Sequence, residues 1–222
     1  MRFKIDLKIF IFLILFYFTK QMETYVVIMV FAIIHELGHL VAGLALGMIL
    51  ESIKLMPYGL SISFKLIPKD YNKKIGTGNL LEIKKIIVAT AGPLTNFFII
   101  LIIFNLKIDL ISNLIIVYAN LLIIIFNLLP IYPLDGGRIL KGILHIIVGK
   151  KESEKYINNI SFISLVILTF IGSIGIYCLK NIAIFYIIIF LWLLYVKEDI
   201  IYKKRLKIFN LIKKTIEIEG DK

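Results

Sequence analysis

The chain has 222 residues, of which 59% are hydrophobic, and its mean hydropathy is +0.93. This apolar content exceeds the roughly 45–50% of soluble globular domains and excludes a soluble protein of this length. The single cysteine, Cys178, excludes an intrachain disulfide and a cysteine-rich metal site. The formal net charge is +11, but the basic residues lie between long apolar runs, so the charge indicates membrane topology and not a nucleic-acid partner.

Several apolar runs are about 20 residues long, the length of a helix that crosses a bilayer. The predicted transmembrane helices cover residues 6–22, 24–46, 86–106, 110–130, 160–178 and 182–196. With a cytoplasmic N-terminus, only Lys20, Lys107 and Lys180 lie on the outer side, which agrees with the positive-inside rule. The sequence therefore predicts an all-α multi-pass protein of the cell membrane, with about six transmembrane helices and both termini cytoplasmic, in a bacterium.

The N-terminal stretch MRFKIDLKIFIFLILFYF has the charge and the apolar run of a signal peptide. However, no small-residue cleavage site precedes the following TKQMETY. We therefore interpret this stretch as a retained first transmembrane helix.

The second predicted helix contains HELGH, although ionisable groups are costly inside a membrane. His35 and His39 share one helix face, so both imidazoles can bind one metal ion, while Glu36 projects beside them as a general base. Roughly 0.002 such patterns are expected by chance in this chain. Core histidines are the alternative interpretation, but the pattern favours a catalytic zinc site, in which an open position activates water.

Residues 52–66 lie between the second and third predicted helices and alternate apolar and polar side chains around a PYG turn, which predicts a short β-hairpin. A hairpin edge is not tolerated in lipid, so we expect it at the cytoplasmic face or against protein. The polar stretch KDYNKKIGTGN, residues 69–79, is predicted to be a loop.

A catalytic zinc site needs a third protein ligand, and the best candidate is Asp135 in NLLPIYPLDGG. Pro130 and Pro133 end the fourth predicted helix and Gly136 frees the backbone, so the break can direct Asp135 toward the histidine pair. The alternative for Asp135 is an N-cap of the following helix. For His145, ten residues later, an interfacial or core position is favoured over metal binding.

Residues 149–159, GKKESEKYINN, are predicted to be a second cytoplasmic connection. The basic tail at residues 203–222 suits an interfacial helix. We therefore expect one polytopic membrane domain over residues 1–202, followed by a short basic cytoplasmic tail at 203–222.

HELGH on a membrane helix, followed by NLLPIYPLDGG, resembles the site-2 protease family of intramembrane zinc metalloproteases. The second motif of that family is an Asn, a Pro and then an Asp-Gly pair. Asn127, Pro130, Asp135 and Gly136 match it in this chain. The resemblance covers roughly residues 5–200.

The resemblance implies one Zn²⁺ ion per chain, bound by His35, His39 and Asp135, with Glu36 as the catalytic base. It implies a zinc metalloendopeptidase that hydrolyses a peptide bond of a membrane-associated protein within or near the bilayer. A tethered transcription factor or sigma-factor precursor, released as a cytoplasmic fragment, is one such substrate. The partners to expect are this tethered substrate, the lipid bilayer and a regulatory membrane protein.

Two asparagines lie in apolar helices. Asn96 belongs to TAGPLTNFF, residues 90–98, which resembles the Gly-Pro-x-x-Asn element of the third core helix of the family, and Asn127 belongs to the second motif. Each is expected either to bond a neighbouring helix or to hold the substrate backbone and stabilise the oxyanion. The two interpretations are balanced for Asn96, and the functional one is favoured for Asn127.

The layout is similar to that of the bacterial stage IV sporulation proteases that process a sigma factor. Those enzymes often carry a C-terminal nucleotide-sensing CBS domain, for which this chain leaves no room after its last predicted helix. A membrane transporter or proton pathway using the His/Glu/Asp cluster is the alternative function, and a catalytically inactive scaffold is a third. The clustering of HELGH within five residues and the lack of an inverted repeat favour the protease.

Overall fold

The structure, a computed structural model, describes residues 2–5, 17–18, 22–56, 59–65, 74–106, 113–179 and 183–220. Its strands are β1 (Arg2–Ile5), β2 (Ile49–Met56) and β3 (Gly59–Lys65). Its helices are α1 (Met22–Ala45), α2 (Lys74–Leu106), α3 (Asn113–Asn127), α4 (Asp135–Val148), α5 (Lys150–Leu179) and α6 (Ala183–Gly220). The chain divides into two compact units, Met1–Leu129 and Pro130–Lys222.

The first unit contains a three-stranded sheet with β2 in the centre. β2 pairs antiparallel with β3, where Ile53 faces Ile62, so the predicted hairpin is confirmed. β1 pairs parallel with the other edge of β2, where Phe3 lies beside Ile53. This third strand was not predicted, although RFKI at residues 2–5 has the polar–apolar alternation of a half-buried strand.

Small residues allow the elements of the first unit to approach α1 closely. α1 packs against α2, α3 and β3. A Cβ atom on Gly43 would overlap the ring of Phe64 from β3, and one on Gly38 would overlap the side chain of Thr95 from α2. The helix that carries HELGH is thereby fixed against both the sheet and α2.

The predicted loop at residues 69–79 is wrong from Lys74 onward, because α2 begins there. Gly76 and Gly78 suggested a loop, and each costs a helix about 1 kcal/mol relative to alanine. Extending an existing helix is much easier than nucleating one, so the long apolar part of α2 tolerates both glycines. Residues 69–73 lie outside the described part of the chain.

Three of the described helices are long and apolar enough to cross a membrane, within Tyr25–Ala45, Asn79–Asn105 and Lys150–Cys178. Six spans are not confirmed. Most of the first predicted helix, 6–22, lies outside the described residues. α3 is apolar but has 15 residues, about 22 Å, which is shorter than a hydrocarbon core of about 30 Å.

In the second unit, α4 and α5 are joined by Gly149 alone, which has a positive φ of 83°. Most of the connection predicted at 149–159 is helical, because α5 already begins at Lys150. Its cytoplasmic position stays a prediction. The first three turns of α5 are rich in helix-forming lysine and glutamate. Ser153, Ile157 and Ser161 recur every four residues and are buried, so one face of this polar stretch packs inside the unit.

α6 continues without a break from the last predicted span to Gly220. The predicted boundary between residues 202 and 203 lies inside this helix and stays a prediction. The apolar parts of α5 and α6 carry large exposed side chains, among them Phe170 at 69%, Tyr177 at 85% and Leu193 at 64% exposure. Such surfaces suit contact with lipid, because water-facing surfaces rarely carry apolar patches of this extent.

Candidate metal centre

The two HELGH histidines lie on one face of α1 inside the first unit. His35 and His39 are 2% and 3% exposed, and their ring centroids are 4.8 Å apart with the planes at 87°. Glu36, between them in sequence, is half-buried. The helical spacing predicted from the sequence is therefore what brings the imidazoles together.

The tautomer of His39 is set by a backbone carbonyl. Its Nδ1 lies 2.7 Å from the carbonyl oxygen of Val88 on α2. A carbonyl oxygen only accepts hydrogen bonds, so Nδ1 donates, and in the neutral imidazole Nε2 carries the lone pair. An imidazole held in this way presents Nε2 as a metal ligand.

His35 is held in the same manner by a side chain. Its Nδ1 lies 2.8 Å from Oδ1 of Asn96, an amide oxygen that only accepts, so the lone pair is again on Nε2. Asn96 is fully buried, and its Nδ2 donates to Oδ1 of Asn120 on α3 at 2.8 Å. Both ends of the Asn96 amide are thus engaged, which favours orientation of His35 over contact with a substrate.

Gly92 on α2 marks the place where the two imidazoles converge. A Cβ atom built there would lie 2.5 Å from Nε2 of His39 and 2.6 Å from Nε2 of His35. Both lone-pair nitrogens therefore face the same space beside a residue with no side chain. Two histidine nitrogens directed at one point supply two of the three protein ligands that a catalytic zinc site needs.

Asp135 is the first residue of α4 in the second unit and is 4% exposed. The N-cap of α4 is Leu134, which makes no side-chain capping hydrogen bond, so the alternative interpretation of Asp135 as the N-cap is wrong. Nη1 of Arg138, one turn later, lies 3.6 Å from its Oδ1. Burying a carboxylate is costly unless it is paired or binds a metal, so a carboxylate as buried as that of Asp135 is compatible with a metal ligand.

The turn before Asp135 is held from two sides. The backbone N–H of Tyr132 donates to Oγ of Ser161 on α5 at 3.0 Å, and Ile131 is fully buried. A Cβ atom on Gly137 would lie 2.5–2.6 Å from the backbone of Ile131 and Tyr132, so only glycine allows this turn to fold against α4. The start of α4, and with it Asp135, is thereby fixed within its unit.

The Tyr132 side chain lies close to charged groups of the second unit. Nζ of Lys141 lies 4.5 Å from the centre of its ring, a cation–π contact, and Lys141 also pairs with Glu154 at 3.7 Å. Burial raises the pKa of the Tyr132 phenol, and the negative charge of Glu198 adds to this effect. Tyr132 is therefore a neutral structural group near pH 7.

Two other residues that the sequence analysis considered for the site are Asn127 and His145. Asn127 is the last residue of α3, is half-buried, and donates from Nδ2 to the carbonyl oxygen of Ile123 at 3.0 Å. Its role toward a substrate stays a prediction. His145 lies in the last turn of α4, about 15 Å along the helix from Asp135, which is too far for both to bind one ion.

Comparisons with known proteins agree with this geometry. The model of peptidase family M50 matches residues 106–171, which include α3 and Asp135. The solved structure of the site-2 protease from Methanocaldococcus jannaschii is similar, with a TM-score of 0.63 and 26% identity over 87% of this chain and 88% of that one. Zinc metalloprotease MJ0392 of the same organism is 33% identical over 154 residues, or 66% of this chain. The matched part spans 42% of the length of that relative.

Proposed function

Because the chain belongs to the site-2 protease family of zinc metalloproteases, we propose that it hydrolyses a peptide bond of a membrane-associated protein within or near the bilayer. The convergence of the His35 and His39 Nε2 atoms beside Gly92 carries this proposal. A proton pathway is not favoured by the same arrangement. A relay exchanges protons on both imidazole nitrogens, whereas both Nδ1 protons here are held by acceptors.

The ligand set that we propose is His35, His39 and Asp135, binding one zinc ion. Zinc accepts neutral imidazole nitrogen and carboxylate oxygen, and three protein ligands leave the open position that a catalytic site needs. The tautomers of both histidines fit this role. Asp135 fits it because its carboxylate is buried and the N-cap position of α4 is taken by Leu134.

Glu36 is the general base in this proposal. When bound, the zinc ion polarises the scissile carbonyl and lowers the pKa of the attacking water to about 7. The Glu36 carboxylate takes one proton from that water as the new C–O bond forms. It then gives the proton to the leaving nitrogen as the C–N bond breaks, so the base is regenerated.

The substrate class that we propose is a membrane-tethered protein whose cytoplasmic fragment is released. Two features support a tethered substrate: His35, Glu36 and His39 lie on an apolar helix long enough to cross a membrane, and a large part of the exposed surface is apolar. Release on the cytoplasmic side rests on the positive-inside distribution of the basic residues.

The test is cleavage of a single-span reporter, tagged at both ends, in liposomes that contain the purified chain. We expect cleavage that a zinc chelator abolishes and that added zinc restores, because removal of the ion removes the activated water. Proton flux through the same liposomes is the control for the alternative function. Cleavage that survives complete zinc removal, or zinc-loaded protein that conducts protons and cuts nothing, would contradict the proposal.

A further inference from the structure

Two buried asparagines connect α3 to the histidine pair. Asn96 on α2 and Asn120 on α3 are both fully buried in apolar helices. Nδ2 of Asn120 donates to the carbonyl oxygen of Ile116 at 2.8 Å, and Nδ2 of Asn96 donates to Oδ1 of Asn120 at 2.8 Å. Oδ1 of Asn96 then accepts from Nδ1 of His35 at 2.8 Å. The series runs without a gap from a helix carbonyl to an imidazole.

In each hydrogen bond of this series, the donor and the acceptor cannot be exchanged. The Ile116 carbonyl can only accept, so the amide nitrogen of Asn120 must face it and the amide oxygen must face Asn96. That oxygen requires the Asn96 amide nitrogen, which turns the Asn96 oxygen toward His35. The backbone of α3 thus dictates which nitrogen of His35 carries the proton.

We propose that Asn120 is a positioning residue of the metal centre: it orients the Asn96 amide and thereby selects the His35 tautomer that binds metal. Without the Asn120 oxygen, the Asn96 amide has no reason to keep its oxygen toward His35. A reversed amide offers an N–H to Nδ1, which moves the imidazole proton to Nε2, the atom that the ion needs. The proposal rests on the proposed function only for the identity of the ion.

The test compares two substitutions at one position. Asn120→Leu keeps the approximate volume and removes both hydrogen bonds. Asn120→Asp keeps an oxygen that accepts from Asn96 in either protonation state, and burial favours the neutral acid, whose O–H donates to Ile116. The matched control is Asn105→Leu on α2, since Asn105 also bonds the carbonyl four residues earlier, at 2.7 Å, but is exposed.

Two quantities are measured, the zinc dissociation constant by chelator competition and the imidazole ¹⁵N shifts of His35 in metal-free protein. We expect Asn120→Leu to bind zinc about 10–100-fold more weakly and to shift the His35 tautomer toward Nε2–H. Asn120→Asp and Asn105→Leu should match the unmodified chain in both. If Asn120→Leu does not fold, Asn120→Ser, which is too short to reach Asn96, replaces it with the same expected result.

A folded Asn120→Leu protein with unchanged zinc affinity and an unchanged His35 tautomer would overturn the proposal, as would an Asn120→Asp protein that behaves like Asn120→Leu. Neither result would contradict the proposed protease function, since the unmodified chain would still bind zinc. Conversely, an unmodified chain that binds no zinc would defeat the proposed function. The ¹⁵N shifts of the metal-free proteins would then still decide whether Asn120 sets the tautomer.

Discussion

Glu36→Gln is expected to keep one zinc ion per chain and to lower the rate of reporter cleavage by about 10²–10⁴-fold. Glutamine has nearly the shape of glutamate but cannot take a proton from the attacking water. The histidines on either side keep their hydrogen bonds to Val88 and Asn96, so the metal ligands themselves do not change. Loss of cleavage with retention of metal is the signature of a missing base.

The experiment measures zinc content and initial cleavage rates on the same samples. The matched control is Glu23→Gln, the same substitution in the first turn of the same helix, where the side chain is exposed. We expect the control to retain both properties. A Glu36→Gln protein that cleaves at nearly the unmodified rate would rule out Glu36 as the base, whatever its zinc content.

Gly92→Ala is expected to weaken zinc binding by about 100-fold or more, although it replaces no ligand. The added methyl group would lie 2.5–2.6 Å from both Nε2 atoms, a separation that carbon and nitrogen do not tolerate without a bond. Both rings must therefore turn away. Because zinc–nitrogen distances are held near 2.0–2.1 Å, a displacement of a few tenths of an ångström at both ligands is enough to lose the ion.

The matched control for this variant is Gly175→Ala on α5. A Cβ atom there would lie 3.4 Å from the nearest atom, Cδ1 of Ile184, which is an ordinary contact. Glycine-to-alanine changes inside helices otherwise stabilise by roughly 0.5–1 kcal/mol, so a general loss of helix stability is not expected from either variant. Unchanged zinc affinity in Gly92→Ala would mean that the histidine nitrogens do not converge where the structure places them.

The sequence predicts correctly those features that depend on short-range geometry alone. HELGH combines a helical period with ligand chemistry, so the pairing of His35 and His39 follows from spacing alone. The hairpin has alternation on both arms and a turn between them, and β2 and β3 form as expected. In both cases short-range geometry decides the result, and no distant contact is needed.

The sequence does not predict the elements whose formation depends on contacts between residues distant in the chain. The start of α5 lies before the helix predicted at 160–178, because its lysines, glutamates and asparagines are not typical of a transmembrane span. It is helical in the structure, and Ser153 and Ile157 are buried within the second unit. β1 has four residues and forms only because β2 offers a free edge. A short strand without such a partner is not stable in water, so the alternation in RFKI is not sufficient to predict β1.

The positioning residues could be predicted only in part. Asn96 was noticed through its motif, but the role expected for it, substrate contact or helix pairing, did not include orientation of His35. Asn120 carries the same signal as Asn96 and Asn127, a polar residue in an apolar helix, but no motif surrounds it and singles it out. Its bond to Asn96 depends on how two helices pack, which spacing along the chain does not reveal.

We propose that the catalytic zinc ion is bound by His35, His39 and Asp135. The most direct test is the zinc content of Asp135→Ala protein after dialysis against a chelator. The control is Asp199→Ala in the same unit, because Asp199 already pairs with Lys203 at 2.6 Å. We predict about one zinc ion per chain in the unmodified and Asp199→Ala proteins, and almost none in Asp135→Ala. One retained zinc ion per chain in folded Asp135→Ala protein would contradict the claim and require another third ligand.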